Sequence, residues 1–182
     1  SGSFRDPSGF VYRRDGVLYR QINASYRDDF EALITSGLYD SLVSKGQLIE
    51  HEDADLGLRH SDDALRVIRP TAVPFISYPY EWSFGQLKDA AILTLRIQRE
   101  ALDRKMSLKD ASAYNVQFVG CSPVFIDTLS FEPYVEGRPW VAYRQFCQHF
   151  LAPLALMSLV DVRLGQLLRT YLDGVPLDLA SR

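Results

Sequence analysis

The run Ser107-Leu108-Lys109-Asp110-Ala111-Ser112-Ala113-Tyr114-Asn115-Val116 decides how the chain is read, together with Val124-Phe125-Ile126-Asp127 beyond it. Val116-Gln117-Phe118 and Val124-Phe125-Ile126 bracket Gly120-Cys121-Ser122-Pro123, the pattern of two short strands about a turn. Asp110 and Asn115 stand five apart before that hairpin, and Asp127 follows Asn115 by twelve. A loop folding back on the hairpin brings two carboxylates and an amide oxygen to one spot. Such a hard-oxygen set suits Mg²⁺, with phosphate oxygens and water completing the shell.

Working outward, a long helix precedes the loop. Ser83-Phe84-Gly85-Gln86 has the form of a capping box, and Leu87, Ala91, Leu95, Ile97 and Ala101 mark the buried side up to Lys105-Met106. Before it, Pro70, Pro74 and Pro79 interrupt Val73 to Tyr80, which makes this an extended connector or edge strand. Gln47-Leu48-Ile49 and Ala64 to Ile68 predict strands around an exposed acidic loop, residues 51–63. Ahead of these lies a helix capped by Ser25, with Asp28 and Asp29 in its first turn and Phe30, Leu33, Ile34, Gly37, Leu38 and Leu42 at helical spacing. The first 22 residues predict a β-hairpin, because Phe10, Tyr12, Val17 and Tyr19 alternate with polar residues around Asp15-Gly16. After the central hairpin, Trp140 to Leu154 recur at steps of three and four as a core helix that Pro153 kinks or ends. A last helix carries Leu164, Leu167, Leu168 and Tyr171.

Composition narrows the function classes. A length of 182 residues suits one domain, or two small lobes sharing one core. A net charge of −3 is not that of a nucleic-acid clamp. Cys121 and Cys147 have neither zinc-site nor disulfide-framework spacing, and no neighbouring His or helix start to activate them. The longest apolar stretch, Leu151 to Val160, falls well short of the roughly 20 residues that span a bilayer. The expectation is a cytoplasmic domain that meets neither membrane nor nucleic acid. Ser1-Gly2-Ser3 reads as a cloning remnant, and Leu177-Asp178-Leu179-Ala180 as the opening of something new, so a piece of a longer protein is expected.

The order and spacing of these motifs resemble the protein-kinase-like fold, in which an aspartate, an asparagine five later and an aspartate past a hairpin form the phosphoryl-transfer site. The resemblance implies a reduced, two-lobed α+β fold, with a β-rich lobe over residues 1–80 and a helical lobe over 81–182. It gives Asp110 the catalytic-base position, and Asn115 and Asp127 the metal of an ATP–Mg²⁺ complex. Pro79-Tyr80-Glu81-Trp82 becomes the hinge under the nucleotide base, with Tyr80 and Trp82 against the cofactor, although a tryptophan before a helix more often packs than stacks. Arg20 takes the place of the phosphate-binding lysine, and Glu31 or Asp29 that of its helix partner.

Departures accompany the match. Arg20 is a forked guanidinium where kinases carry a point charge, and the glycine-rich loop shrinks to Asp6-Pro7-Ser8-Gly9. Thr128-Leu129 replaces the usual Phe-Gly, and Lys109 the usual Arg.

A second resemblance joins Arg69 to Ser83, Leu108 to Gln117, Phe125-Ile126-Asp127-Thr128-Leu129-Ser130-Phe131-Glu132-Pro133 and Gly137-Arg138-Pro139-Trp140. Together these are similar to the N-terminal region of bacterial class I S-adenosylmethionine-dependent methyltransferases, a group with nodulation-protein-like members. This implies a methyltransferase domain further C-terminal as an attached partner. No glycine-rich cofactor loop follows a strand here, so S-adenosylmethionine would bind there and not to this chain. The reading is a kinase-like domain whose acceptor stays open, a small hydroxylated molecule or a glycan being as plausible as a protein. Its alternative is an inactive pseudokinase scaffold for recognition of substrate or partner. His149 beside Phe150 reads as a structural histidine, and His51 and His60 as loop residues.

Overall fold

The computed structural model describes residues 7–181; Ser1-Gly2-Ser3 and Asp6 lie outside the described residues. The fold is α+β. Strands β1 (Gly9–Arg14) and β2 (Val17–Asn23) pair antiparallel in register Arg14↔Val17. Asp15 and Gly16 both take positive φ, +51° and +79°, as a two-residue primed turn requires.

A short 3₁₀ turn, Ala24–Tyr26, leads to α1 (Arg27–Thr35). Ser25 does not cap it; its hydroxyl donates to the Pro7 carbonyl at 2.6 Å. The expected single helix breaks at Gly37 (φ +69°), and α2 (Leu38–Ser44) continues at a new angle.

The acidic segment is not all loop. His51–Ala54 forms β3, which pairs antiparallel with β4 (Ala64–Pro70) and completes a sheet of order β1-β2-β4-β3. Residues 47–49 are not a strand of this sheet. They bridge instead to Phe125, the Ile49 amide donating to Phe125 O (2.8 Å) and the Phe125 amide to Gln47 O (2.9 Å). Residues 55–61 drape over the outer face of the hairpin. There Tyr12 stacks on Tyr19 with centroids 5.8 Å apart, the Tyr12 hydroxyl donates to Leu58 O, and buried Gln21 accepts from the His60 and Ser61 amides. The aromatic alternation of the hairpin therefore marks the face beneath this loop. The opposite face carries Gly9, Arg20 and the buried Ile22.

The proline-rich connector holds no strand and closes in a 3₁₀ turn, Pro79–Glu81. Helix α3 (Phe84–Asp103) starts with the expected capping box, Ser83 Oγ accepting from the Gln86 amide and Gln86 Oε1 from the Ser83 amide. Its buried side runs through Leu87, Ala90, Ala91, Leu93, Thr94, Ile97, Gln98 and Ala101; Leu95 is exposed. Two short sheets follow. One joins β5 (Met106–Leu108) to β8 (Phe131–Pro133), and the other joins β6 (Val116–Val119) to β7 (Ser122–Phe125).

The helix expected over Trp140 to Leu154 resolves into α4 (Tyr143–Phe146), a wide π-type stretch Cys147–Leu151 and α5 (Ala152–Leu159). Pro153 sits in the first turn of α5, and the π-type stretch just before it absorbs the hydrogen bond that proline cannot donate. The chain ends in a 3₁₀ stretch, α6 (Leu167–Thr170) and α7 (Leu177–Ala180).

One apolar core joins Leu33, Leu38 and Leu42 to Leu87, Ile97, Phe125, Phe131 and Phe150, so packing runs unbroken across residues 80 and 81. A smaller cluster of Ile22, Tyr26, Phe30, Ile68 and Leu129 lies beneath the sheet. No helix among the described residues is long and apolar enough to cross a membrane.

Candidate functional site

Backbone pairing builds the site. The loop 109–115 is held between β5 and β6, and the segment 126–130 between β7 and β8. Because β5 pairs with β8 and β6 with β7, the two segments must face each other. Two further bonds fasten them: the Lys109 amide to Ser130 O and the Ile126 amide to Asn115 O, both 2.8 Å. Asp110, Asn115 and Asp127 consequently line one cleft of about 760 Å³, with Arg20 and Gly9 from the sheet.

Within it, three donors hold Asp127. Its carboxylate accepts from Arg20 Nη1, from the Ser130 hydroxyl (2.6 Å) and from the Leu129 amide (3.2 Å). Burial pushes its carboxyl up, but the Arg20 charge with these hydrogen bonds outweighs it and holds the group below the usual carboxylate range. Asn115 Nδ2 donates to the same Ser130 hydroxyl at 3.2 Å. Asp110 accepts from the Ser112 amide, and the next amide, Ala111, donates to Gln145 Oε1 at 2.7 Å.

The helix partners differ from expectation. Glu31 is exposed and pairs with Arg27 one turn away at 3.8 Å; it does not meet Arg20. Asp29 pairs instead with Lys109 (3.4 Å), whose ammonium also sits 4.2 Å from the Tyr26 ring centroid. Tyr26 donates to Phe131 O and accepts from the Phe131 amide, tying α1's entry to β8. Tyr80 lines the cleft, stacked on Tyr78 with centroids 5.5 Å apart and planes 6° from parallel. Trp82 does not line it. Its indole is buried, donates to Ser77 Oγ at 2.8 Å and meets the Phe118 ring edge-on, so it packs the connector.

The polar cleft has lining residues that no motif announced: Tyr78, Tyr114, Gln145, His149 and Asp173. His149 is buried, its Nδ1 has no hydrogen-bond partner, and burial lowers its pKa to about 4 although Asp173 opposes this. The Tyr114 hydroxyl, also buried and unpartnered, is pushed up by burial and by Tyr80, Asp173 and Tyr78. Asp173 reaches this wall because Gly174 (φ +92°) lies against the Gln148 backbone and the Val175 amide donates to Gln148 O. Only spatial proximity unites these residues, so spacing in the sequence carried no signal for them.

A second cleft of about 830 Å³ opens on the other side of Arg20. Its walls are largely apolar, among them Val11, Leu18, Ile49, Val73, Ile76 and Ile126. Arg20 borders both clefts, and the neighbours Ile126 and Asp127 face one each.

Among the described residues no group of three or more His, Cys, Asp or Glu is arranged to hold a metal. Asn115 and Asp127 nevertheless form the oxygen-only donor set that Mg²⁺ takes when substrate phosphates and water complete its shell. Three donors already engage Asp127, which leaves it about one acceptor position. The residues fit Mg²⁺ only as part of a phosphate-bearing ligand.

No family model matches the chain. It is 40% identical over 178 residues to the nodulation protein NoeA of Rhizobium meliloti (strain 1021), a match that covers 97% of this chain. The chain spans 37% of that relative's length.

Proposed function

We propose that this chain is a kinase-like, nucleotide-binding module of a longer nodulation-type bacterial protein whose remaining length includes a methyltransferase domain. The observation that carries the kinase-like part is the convergence of Asp110, Asn115, Asp127 and Arg20 at one cleft, beside an apolar cleft bounded by the connector. The apolar cleft takes the nucleotide base. Arg20, on the border, meets the phosphates, and the polar cleft receives the acceptor. Asp110 accepts the proton of an acceptor hydroxyl as the new oxygen–phosphorus bond forms and the bond to the departing nucleoside diphosphate breaks. Asn115 and Asp127 hold Mg²⁺, which neutralises phosphate charge.

One observation favours a second reading. The Arg20–Asp127 ion pair commits both groups to each other, as suits a pseudokinase scaffold that recognises substrate or partner without transfer. A thermal-shift titration with ATP, ADP and S-adenosylmethionine, each with and without Mg²⁺, separates the two. At ten times Kd, binding adds about 1.4 kcal/mol, or about 3–6 °C for a chain of this size. A Mg²⁺-dependent ATP shift that is lost in Asp127→Asn is the expected result. No shift at millimolar nucleotide leaves the scaffold, and a shift with S-adenosylmethionine overturns the placement of that cofactor elsewhere.

A further inference from the structure

We propose that a third cleft, between the end of α2 and the second half of α3, is a binding site for a small multivalent oxyanion held by Arg96 and Arg99. The cleft shares no lining residue with the apolar and polar clefts, so the inference stands apart from the kinase-like reading.

The cleft has a volume of about 620 Å³, which suits a small molecule. Its ionisable lining is Lys45, Arg96, Arg99, Glu100, Asp103 and Arg104, four cations to two carboxylates. The whole chain has a net charge of −3, so this excess of positive charge is local. Backbone geometry builds both walls. Gly46 (φ +65°) ends α2, the Gly46 amide donating to Val43 O and the Gln47 amide to Leu42 O, both at 2.9 Å, which holds Lys45 toward α3. On α3, residues 96, 99, 100 and 103 follow steps of three and one and so share a helix face.

Part of this cluster has a structural role. Glu100 accepts from the Ser41 hydroxyl and from Lys45 Nζ at 2.7 Å, and Arg104 Nε lies 3.8 Å from it. Lys45 and Arg104 occupy the C-terminal capping positions of α2 and α3, where the helix dipole favours a cation. Arg96 and Arg99 have neither reason to be there. Both are exposed, neither lies in the last turn of α3, and neither makes an ion pair or hydrogen bond among the described residues. Each has a carboxylate four residues further on. Glu100, however, is taken up by Ser41, Lys45 and Arg104, and Asp103 makes no ion pair among the described residues.

Two like charges three residues apart on one helix face repel each other. An oxyanion between them turns that repulsion into two attractions, and the guanidinium fork presents paired donors that match an edge of a phosphate or a carboxylate.

Inorganic pyrophosphate and citrate are the probes, titrated calorimetrically into the chain at low ionic strength and neutral pH, without Mg²⁺. Binding is expected, and the tighter of the two assigns the oxyanion to the phosphate or to the carboxylate class. Arg96→Gln and Arg99→Gln should each weaken it about tenfold, the scale of a charge-assisted hydrogen bond. Lys88→Gln makes the same charge change at an exposed position of α3 outside the cleft and should alter binding by less than about twofold. Asp103→Asn removes a carboxylate from the lining and should tighten binding by about twofold. All four side chains are exposed, so melting temperatures should stay within a few degrees of the parent. No binding of either probe at millimolar concentration, or equal losses in Arg96→Gln and Lys88→Gln, overturns the proposal. Binding of a hexaglutamate peptide with neither small anion bound would also overturn it and make the cleft a docking groove for an acidic segment.

Discussion

Arg20 and Asp127, 107 residues apart in sequence, close an ion pair on the border between the apolar and the polar cleft. Their side chains are only 13% and 17% exposed, so each charge depends on the other for solvation. Asp127→Ala strands the guanidinium and should cost about 3 kcal/mol. Asp127→Asn keeps an acceptor for the Ser130 and Leu129 donors and should cost less. Urea denaturation of the three proteins measures this; an unchanged midpoint in Asp127→Ala would show that the pair contributes nothing.

The same pair predicts an acid limb. Asp127 is held below its unfolded value, so its contribution is complete above that value, about 3.9, and is lost as pH falls through the lower folded value. Melting temperature should therefore drop steeply below about pH 4. Asp127→Asn should flatten that limb, and an identical limb in the variant would assign acid unfolding to other carboxylates.

A separate pH window belongs to two histidines. Burial holds both His51 and His149 neutral, with pKa values lowered to about 4. An unfolded histidine takes up a proton near pH 6.5, so between that pH and about 4 the unfolded state binds protons that the folded state refuses. Stability should fall as pH falls through this window, by about 2 kcal/mol per histidine between pH 6.5 and 5. His149→Phe removes a group whose Nδ1 has no partner, so it should fold and lose about half of this slope. A slope equal to that of the parent would mean that His149 charges freely in the folded protein.

Where local chemistry dictates structure, the sequence was legible. Asp15-Gly16 supplies the two positive φ values of the hairpin turn, and Ser83 with Gln86 satisfies the free amides at the start of α3. The spacing of Asp110, Asn115 and Asp127 was legible because short-range strand pairing alone brings these segments together. Strand β3 was hidden, since an edge strand of sequence His-Glu-Asp-Ala is mostly solvated and shows no alternation. Three-residue strands such as β5 and β8 are too short for any period to appear. Leu95 was misplaced because Thr94 and Gln98, both polar, occupy the buried side of α3; Gln98 accepts from the Leu108 amide and so fixes β5. Tyr114, His149 and Asp173 meet only through tertiary packing, which a linear motif does not record.

Two neighbours in the connector should separate packing from binding. Trp82 is buried against Phe118, so Trp82→Ala should cost about 3–5 kcal/mol with ligand affinity unchanged in the protein that still folds. Tyr80 lines the polar cleft and is half-buried, so Tyr80→Ala should cost little stability and weaken the Mg²⁺-dependent binding of ATP several-fold. Denaturation midpoints and calorimetric titrations on both variants provide the comparison. A loss of affinity in Trp82→Ala matching that in Tyr80→Ala would restore the tryptophan to the binding wall.

Gly9 offers the sharpest backbone test because it stands where the sheet meets the polar cleft. Its φ is +151°, and it pairs with Ile22, so a side chain would have to project into the neighbouring strand. A Cβ there would collide with the carbonyl oxygen of Gln21 and approach Leu129 Cδ1 at 2.9 Å. Neither can retreat freely: Gln21 belongs to β2, and Leu129 fills the small core under the sheet. Gly9→Ala should therefore cost about 2–4 kcal/mol. Because Leu129 follows Asp127 by two residues and its amide donates to that carboxylate, displacement should also loosen the Arg20–Asp127 pair. Gly120→Ala is the control. Its φ is also positive, at +61°, but nothing lies within 4 Å of the added atom, so only the backbone strain of about 1 kcal/mol applies. Urea unfolding with both variants at neutral pH should show Gly9→Ala at least twice as damaging. Melting temperature followed down through pH 4 should also show a weakened acid limb in Gly9→Ala alone. Equal costs for the two glycines would mean that conformational strain, and not the close approach of β1 to β2, is what Gly9 relieves.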